Sequence, residues 1–131
     1  MNILLFTDDH LLTDILRIAL GGTYQVRWAT TERRLFTTLA STQAGAVVLD
    51  AHCGDAADLC SRLRAFSDAA LIAIARTDTA DERVRLLRAG ADEALKRSFE
   101  LAELVARLQA KLRRSAIARP RESQFSAAKI V

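Results

Sequence analysis

The stretch Ala46-Val47-Val48-Leu49-Asp50 decides the fold of this chain, because a short apolar run without helical spacing ends abruptly in a carboxylate. Such a run is typical of a strand that is buried on both faces of a sheet. In open parallel sheets, ligands bind beyond the carboxyl ends of the strands. Asp50 is therefore a candidate site residue, although an acid at this position could also cap the next helix or begin a turn.

Apolar runs and helical patterns alternate along the rest of the chain. The predicted strands are 2–6, 24–28, 46–50, 69–75 and 91–95, and each is followed by a segment with apolar residues at helical spacing. Strict alternation with short links predicts right-handed crossovers and helices on both faces of a parallel sheet. The predicted fold class is α/β, with a doubly wound five-stranded parallel sheet of order 2-1-3-4-5.

The connections carry ordinary helix and turn signals. Residues 41–45 are predicted to turn the chain before the central strand, and residues 51–55 to form a loop after it. Thr30 or Thr31 is predicted to cap the second helix. In the third helix, Leu59, Leu63 and Phe66 have the spacing of an inner face.

Size and composition predict one globular domain. The chain has 131 residues, half of them hydrophobic, and a net charge of +3. No apolar run approaches the roughly 20 residues that cross a bilayer, and the first residues lack a secretory signal, so we expect a cytoplasmic protein without membrane contact. Cys53 and Cys60 are not arranged as Cys-x-x-Cys and are expected to remain thiols.

The alternating pattern stops near residue 114. We expect a domain over 1–114 and, over 115–131, a linker with the possible start of a DNA-binding effector domain, because residues 118–126 hold the only proline and residues 126–131 become apolar again. A basic cluster surrounds this boundary and comprises Lys111, Arg113, Arg114, Arg119 and Arg121. Such a cluster could contact nucleic acid, but no aromatic residues that could stack on bases are interleaved with it. We therefore expect a solvated helix end and linker.

Acidic residues follow two strands that the predicted order makes neighbours. Asp8 and Asp9 follow the first strand, and Asp50 ends the third. Crowded carboxylates are stabilised by a hard divalent cation, and Mg²⁺ takes one or two carboxylates while keeping several waters. A carboxylate held in this way can act as a nucleophile toward phosphorus.

With these acids in place, the chain resembles the receiver domains (CheY-like) of bacterial response regulators over residues 1 to about 114. The most specific segment is Glu82-Arg-Val-Arg-Leu-Leu-Arg-Ala-Gly-Ala-Asp-Glu-Ala-Leu-Lys-Arg-Ser-Phe99, which is similar to the OmpR/PhoB subfamily, whose receivers precede a winged-helix DNA-binding domain. The resemblance implies that Asp50 is the phosphoacceptor. It also implies that Mg²⁺ is bound by Asp8, Asp50 and the backbone carbonyl of His52.

The first strand departs from the family pattern. Thr7 stands where an acid usually precedes the metal ligand, with Asp9 one place late. A slip of one residue would make Asp8 and Asp9 the acidic pair, and a strand buried on both faces has no alternation to decide the register.

Four further positions also depart from the pattern. Ala75 replaces the hydroxyl residue that bonds the phosphoryl group, and Ala94 replaces the aromatic switch residue. Arg97 replaces the lysine that pairs with the phosphate, and Ser98 replaces the proline after it. Arginine keeps the charge but differs in length and shape, so this replacement is not neutral.

A second group of matches covers the fourth helix, last strand and fifth helix, which in the subfamily form a symmetric dimer. The expected pairs across the two-fold axis are Arg83 with Glu103, Asp92 with Arg114 and Glu93 with Arg107. Val84, Leu87 and Ala106 match the apolar patch between them. Charges on helix faces are also ordinary solvated surface, worth roughly 0–1 kcal/mol per pair, but six matched charges favour a dimer face.

Together these features predict an atypical, degenerate receiver that is not an enzyme. We expect it to control a transcription regulator by homodimerisation with weak or absent dependence on phosphorylation, and a histidine kinase partner stays open. One alternative is a conventional receiver phosphorylated at Asp50 with Mg²⁺. Another is a metal- or redox-sensing domain that uses His10, His52 and Cys53, although no ligand spacing marks such a site.

Overall fold

The computed structural model describes residues 2–53 and 55–114. The side chain of Cys53 and residues 115–131, which include the predicted linker, Arg119 and Arg121, lie outside the described residues. Five parallel strands form one sheet in the order β2-β1-β3-β4-β5, which confirms the predicted fold. The strands are β1 (Asn2–Phe6), β2 (Gln25–Ala29), β3 (Ala44–Asp50), β4 (Ala70–Ile74) and β5 (Glu93–Leu95).

A helix follows each strand. These are α1 (His10–Leu20), α2 (Glu32–Ser41), α3 (Ala56–Phe66), α4 (Ala80–Ala89) and α5, which is described over residues 101–114. In the first four helices, the side chain of the residue before the helix accepts a hydrogen bond from the backbone N–H three residues later and so acts as the N-cap. The four capping residues are Asp9, Thr31, Asp55 and Thr79.

β3 is the centre of the sheet, and all of its residues are buried. Val47 and Leu49 pack into the layer formed by α2, α3 and α4, whereas Ala46 and Val48 pack into the layer formed by α1 and α5. Burial on both faces explains why this strand is an apolar run and not an alternating one. No helix within the described ranges is long and apolar enough to cross a membrane.

Several predicted boundaries are wrong by one or two residues. β2 is Gln25–Ala29 and not 24–28, β3 already begins at Ala44, and the predicted β4 and β5 are too long. The predicted loop after β3 contains a short 3₁₀ turn at Ala51–Cys53. Phe66, predicted to face inward, is the last residue of α3 and is 51% exposed, with its ring edge to face against that of Phe36.

Candidate functional site

Asp50 lies at the carboxyl end of β3, between β1 and β4. It is only 3% exposed, and both of its carboxylate oxygens accept hydrogen bonds. Oδ2 accepts one from the hydroxyl of Thr7 (2.9 Å), and Oδ1 accepts one from the backbone N–H of His52 (3.1 Å). A buried carboxylate needs such donors because it has left the water that solvated it.

Arg97, in the turn after β5, supplies the charge that neutralises this carboxylate. Its Nη2 lies 2.6 Å from Oδ1 of Asp50, and its Nε donates to the backbone carbonyl of Ala75 at 2.8 Å. The planar guanidinium thus binds two acceptors in fixed directions, which the single ammonium group of a lysine could not reproduce in the same way. The ion pair connects the ends of β3 and β4 to the turn after β5.

The pKa of Asp50 reflects these contacts. Burial by itself would raise it, but the hydrogen bonds from Arg97, the His52 N–H and Thr7, with the positive charge of Arg97, together hold the pKa of Asp50 below its usual value. The carboxylate is therefore ionised at neutral pH. It is fully paired by groups of the same chain.

The β1–α1 connection assigns different roles to the three polar residues after β1. The buried hydroxyl of Thr7 donates to Asp50 and accepts from the backbone N–H of Asp9 at 3.0 Å. Asp9 Oδ1 accepts from the Leu12 N–H at 3.1 Å and so caps α1. Asp8 is exposed, and its carboxylate accepts no hydrogen bond from the described residues. Thr7, not an acid, is thus the β1 neighbour of Asp50, and Asp8 is the acid not used in capping.

The residues of the predicted Mg²⁺ site fit a hard cation in kind, since they supply carboxylate and carbonyl oxygens. Their oxygens are less available for a metal ion, because the Asp50 carboxylate already accepts three hydrogen bonds, one of them from the Arg97 guanidinium. A cation approaching Asp50 would face the repulsion of Arg97 unless that side chain moved.

His10 begins α1, and His52 lies in the 3₁₀ turn after β3. The imidazole of His10 contacts the ring of Trp28 edge to face, with centroids 4.9 Å apart, and Trp28 Nε1 donates to the carbonyl of Thr7 at 2.9 Å. Among the described residues, no three His, Cys, Asp or Glu side chains are grouped so that they could hold a metal ion. The thiol of Cys53 lies outside the described residues.

The side chains of the two alanines at the predicted switch positions contribute no polar atom to the site. Ala75 is fully buried, and its backbone N–H donates to the carbonyl of Leu95 at 2.8 Å. Ala94 is half-buried and packs against the core under α2, α3 and α4. Polar contact between the end of β4 and the turn after β5 is instead made by backbone groups and by Arg97.

The predicted apolar patch is exposed. Val84 is 41% exposed and Leu87 is 45% exposed on α4, while Leu86 between them is buried. Ala106 is exposed on α5. These three residues, with the six charges predicted to surround them, are called the α4-β5-α5 face below.

Most charges of the α4-β5-α5 face have partners within the chain. Arg107 pairs with Glu93 and lies 3.7 Å from Glu103, while Lys111 lies 3.5 Å from Glu93. Arg83 Nη1 donates to the carbonyl of Asp78 at 2.8 Å. The predicted pair of Glu93 with Arg107 is thus formed inside one chain.

Asp92 has an intrachain partner that the sequence did not indicate. Its Oδ2 accepts from Arg64 Nη2 at 2.8 Å and from the Leu71 N–H at 2.7 Å. Arg64 also donates to the carbonyls of Gly90 and Ala69. An arginine near the end of a helix is common on protein surfaces, so nothing local to its sequence predicts this contact.

The β4–α4 loop, residues 75–79, also carries contacts that sequence reasoning missed. The Glu82 carboxylate accepts from the backbone N–H groups of Arg76 and Thr77, both at 2.8 Å. The spacing Thr79-x-x-Glu82, which resembles a capping box, is the signal that could have predicted a structured loop here. Asp78 binds Ser98 across the turn after β5, and no local sequence pattern predicts that contact.

Two curated relatives match most of the chain. The chain is 38% identical over 118 residues to "Transcriptional regulatory protein QseB" of Haemophilus influenzae, a match that covers 87% of this chain and 53% of the relative. It is 36% identical over 119 residues to "Response regulator MprA" of Mycolicibacterium vanbaalenii, covering 88% of this chain and 52% of the relative. The chain therefore spans about half the length of these relatives.

A solved structure extends the likeness to three dimensions. The receiver domain of the TMAO respiratory system response regulator TorR superimposes with a TM-score of 0.76 at 26% identity, covering 86% of this chain and 97% of that one. No family model matches the sequence.

Proposed function

Because this chain belongs to the receiver domains of the two-component response regulators, we propose that it is an atypical receiver that acts by homodimerisation through the α4-β5-α5 face with little dependence on phosphate. The observation that carries this proposal is the state of Asp50. Its carboxylate is buried and paired with Arg97, and its second oxygen accepts from Thr7.

A phosphoryl group on Asp50 would gain little stabilisation in this site. The Arg97 guanidinium is already bound to Asp50 and to the Ala75 carbonyl, and the side chain of Ala75 offers no hydroxyl. The acid that usually accompanies Asp8 is replaced by Thr7. We therefore expect weak Mg²⁺ binding at Asp8, Asp50 and the His52 carbonyl, and inefficient use of Asp50 by a histidine kinase.

Dimerisation through the α4-β5-α5 face is supported by its exposed apolar side chains. Val84 and Leu87 lie one helical turn apart and project from the same side of α4. Charged residues surround them, and such charges select partner and register more than they add affinity. Because these charges already pair within the chain, forming pairs with a second copy exchanges partners and gains little net energy.

We further propose that the receiver controls a DNA-binding domain in a longer protein. QseB is a transcriptional regulatory protein, and this chain matches 53% of its length. A receiver dimer with a two-fold axis would place two such domains on adjacent half-sites.

Sedimentation velocity of the wild-type protein, with and without Mg²⁺ and beryllofluoride, tests phosphate independence. We expect a concentration-dependent dimer whose dissociation constant changes less than threefold on adding the phosphate mimic. The Asp50→Asn variant should dimerise to a similar degree. A monomer that dimerises only with the mimic would overturn the proposal and favour a conventional receiver.

Substitutions on the α4-β5-α5 face test where the dimer forms. Leu87→Glu should weaken it tenfold or more, since burying a leucine is worth about 1.5–3 kcal/mol and each 1.4 kcal/mol is tenfold in affinity. Arg107→Glu should weaken it too, and Glu93→Arg in the same chain should restore it. Arg33→Glu, at an exposed position of α2, is the matched control for charge. Equal dimerisation of Leu87→Glu and wild type would place the interface elsewhere.

A further inference from the structure

Asp78 and Ser98 form a two-point contact between the β4–α4 loop and the turn after β5. The backbone N–H of Ser98 donates to Asp78 Oδ1 at 2.9 Å, and its hydroxyl donates to Oδ2 at 2.6 Å. Both carboxylate oxygens are thus bound by one residue. This pair of hydrogen bonds is called the Asp78–Ser98 clasp below.

The clasp depends on the replacement of proline by Ser98. A proline has no backbone N–H and no hydroxyl, so neither hydrogen bond could form with it. The same two hydrogen bonds hold the pKa of Asp78 below its usual value, with the hydroxyl contributing more than the N–H. The acceptor is therefore the ionised form, which strengthens both bonds.

Asp50 is connected to the clasp through Arg97. Arg97 binds Asp50 and the Ala75 carbonyl with its side chain, and its backbone N–H donates to the carbonyl of Thr77 at 3.2 Å. Ser98 is the next residue. The turn after β5 therefore binds the β4–α4 loop at Ala75, Thr77 and Asp78.

The loop in turn holds the start of α4. The carbonyl of Asp78 accepts from Arg83 Nη1, the hydroxyl of Thr79 accepts from the Glu82 N–H at 3.4 Å, and the Glu82 carboxylate accepts from the Thr77 N–H. A shift of the loop would therefore move the first turn of α4. Val84 and Leu87 lie on this helix, six and nine residues after Asp78.

We propose that Asp78 and Ser98 are positioning residues that hold α4, and with it the α4-β5-α5 face, in the place that a phosphoryl group would otherwise stabilise. This inference rests on the proposed function. In the receivers that this chain resembles, the residue at the position of Ala75 carries a hydroxyl that bonds the phosphoryl group. This chain lacks that hydroxyl, and the Asp78–Ser98 clasp fixes the β4–α4 loop to the turn after β5 without phosphate.

Three variants test the clasp. Asp78→Asn removes the charge and one acceptor, Ser98→Pro removes both donors, and Ser98→Ala removes only the hydroxyl. We expect Asp78→Asn and Ser98→Pro to raise the dimer dissociation constant about three- to tenfold, as expected for one or two hydrogen bonds to a carboxylate that is exposed to solvent. Ser98→Ala should have the smaller effect because the backbone N–H remains. The matched control is Asp68→Asn, at an exposed acid just before β4 and so at the opposite end of the strands from the clasp.

Two measurements distinguish the effect of the variants on the β4–α4 loop from their effect on dimerisation. Amide hydrogen exchange over residues 75–83 should be faster in Asp78→Asn and Ser98→Pro than in wild type, and this readout does not require a dimer. Dimerisation of these two variants should also become more responsive to Mg²⁺ and beryllofluoride than that of wild type. A merely local role would speed exchange without changing either dimer measurement, and that outcome would overturn the inference.

Unchanged exchange in Asp78→Asn would also overturn it, as would equal dissociation constants for Ser98→Ala and Ser98→Pro. If wild type is a monomer at every concentration, the proposed function fails. Exchange then still reports whether the clasp holds the loop.

Discussion

Replacing Arg97 by methionine should destabilise the domain at neutral pH by leaving the buried Asp50 carboxylate without its cation. Removing one partner of a buried ion pair costs about 3–5 kcal/mol. The Arg97 side chain is 30% exposed, so water can replace part of the lost interaction. We therefore expect a loss of about 2–3 kcal/mol in the free energy of unfolding, a large part of the stability of an ordinary domain.

The pH dependence of this loss has a defined sign. In wild type the folded-state pKa of Asp50 is lowered, so its contribution is present above the unfolded-state pKa and is lost as the pH falls through the folded-state value. Without Arg97, burial dominates and the folded-state pKa rises. The variant then gains stability relative to wild type as the pH falls from 7 toward 4.5, and the difference between the two proteins should shrink.

Urea unfolding at pH 7 and pH 4.5, followed by circular dichroism, measures both quantities. Arg33→Met, an exposed arginine on α2, is the control for the loss of a positive charge and should change the free energy of unfolding by less than about 0.5 kcal/mol. The double variant Asp50→Asn with Arg97→Met should lose less unfolding free energy than the two single variants lose in total. The reason is that asparagine leaves no buried charge that needs a cation. A loss below about 0.5 kcal/mol at pH 7, or an equal loss at both pH values, would refute this reasoning.

Three further predictions concern other parts of the site and its support. Thr7→Val should cost about 1–2 kcal/mol of stability in urea unfolding, since it removes a hydrogen bond to a buried carboxylate, whereas Thr37→Val on the exposed side of α2 should cost less than about 0.5 kcal/mol. Burial raises the pKa of Cys60 to about 11, so peptide mass spectrometry should find this thiol unlabelled by a thiol reagent at pH 8 until the protein unfolds, and rapid native labelling would contradict its burial. Gly90→Ala should lower the free energy of unfolding by about 1–3 kcal/mol in a thermal unfolding measurement, because φ is 129° and the added Cβ would lie 3.2 Å from the Cβ of Arg64. Gly22→Ala, whose added Cβ meets nothing within 4 Å, should be tolerated in that measurement.

The order and type of the elements could be predicted from the sequence because those signals are local. Each buried strand is a run of adjacent apolar residues, and each helix has an amphipathic period and a polar residue at its start. The boundaries were less predictable. The start of β3 at Ala44 depends on pairing with β1, and no property of Ala44 or Gly45 alone indicates it.

The candidate site divides in the same way. Asp50 was recognisable because an apolar strand that ends in an acid is a local pattern, and the parallel sheet then puts that acid at an edge where ligands bind. The positions of Thr7, Ala75 and Arg97 could be read by resemblance. The hydrogen bonds of these residues could not be predicted, because donor and acceptor come within reach only when the strands lie side by side.

Local patterns in the sequence were thus enough to predict an α/β sheet with Asp50 at the carboxyl end of its central strand, and the likeness to receivers came from residues matched along that order. How Asp50 is neutralised depends on the folded chain, since Arg97 lies 47 residues away and reaches it from a turn whose position the sheet sets. The tertiary structure likewise decided that Asp78 meets Ser98 and that Asp92 meets Arg64, 20 and 28 residues apart. Periodicity reports which side of an element is buried, but the partner of a polar side chain depends on distances and directions that exist only in the folded chain.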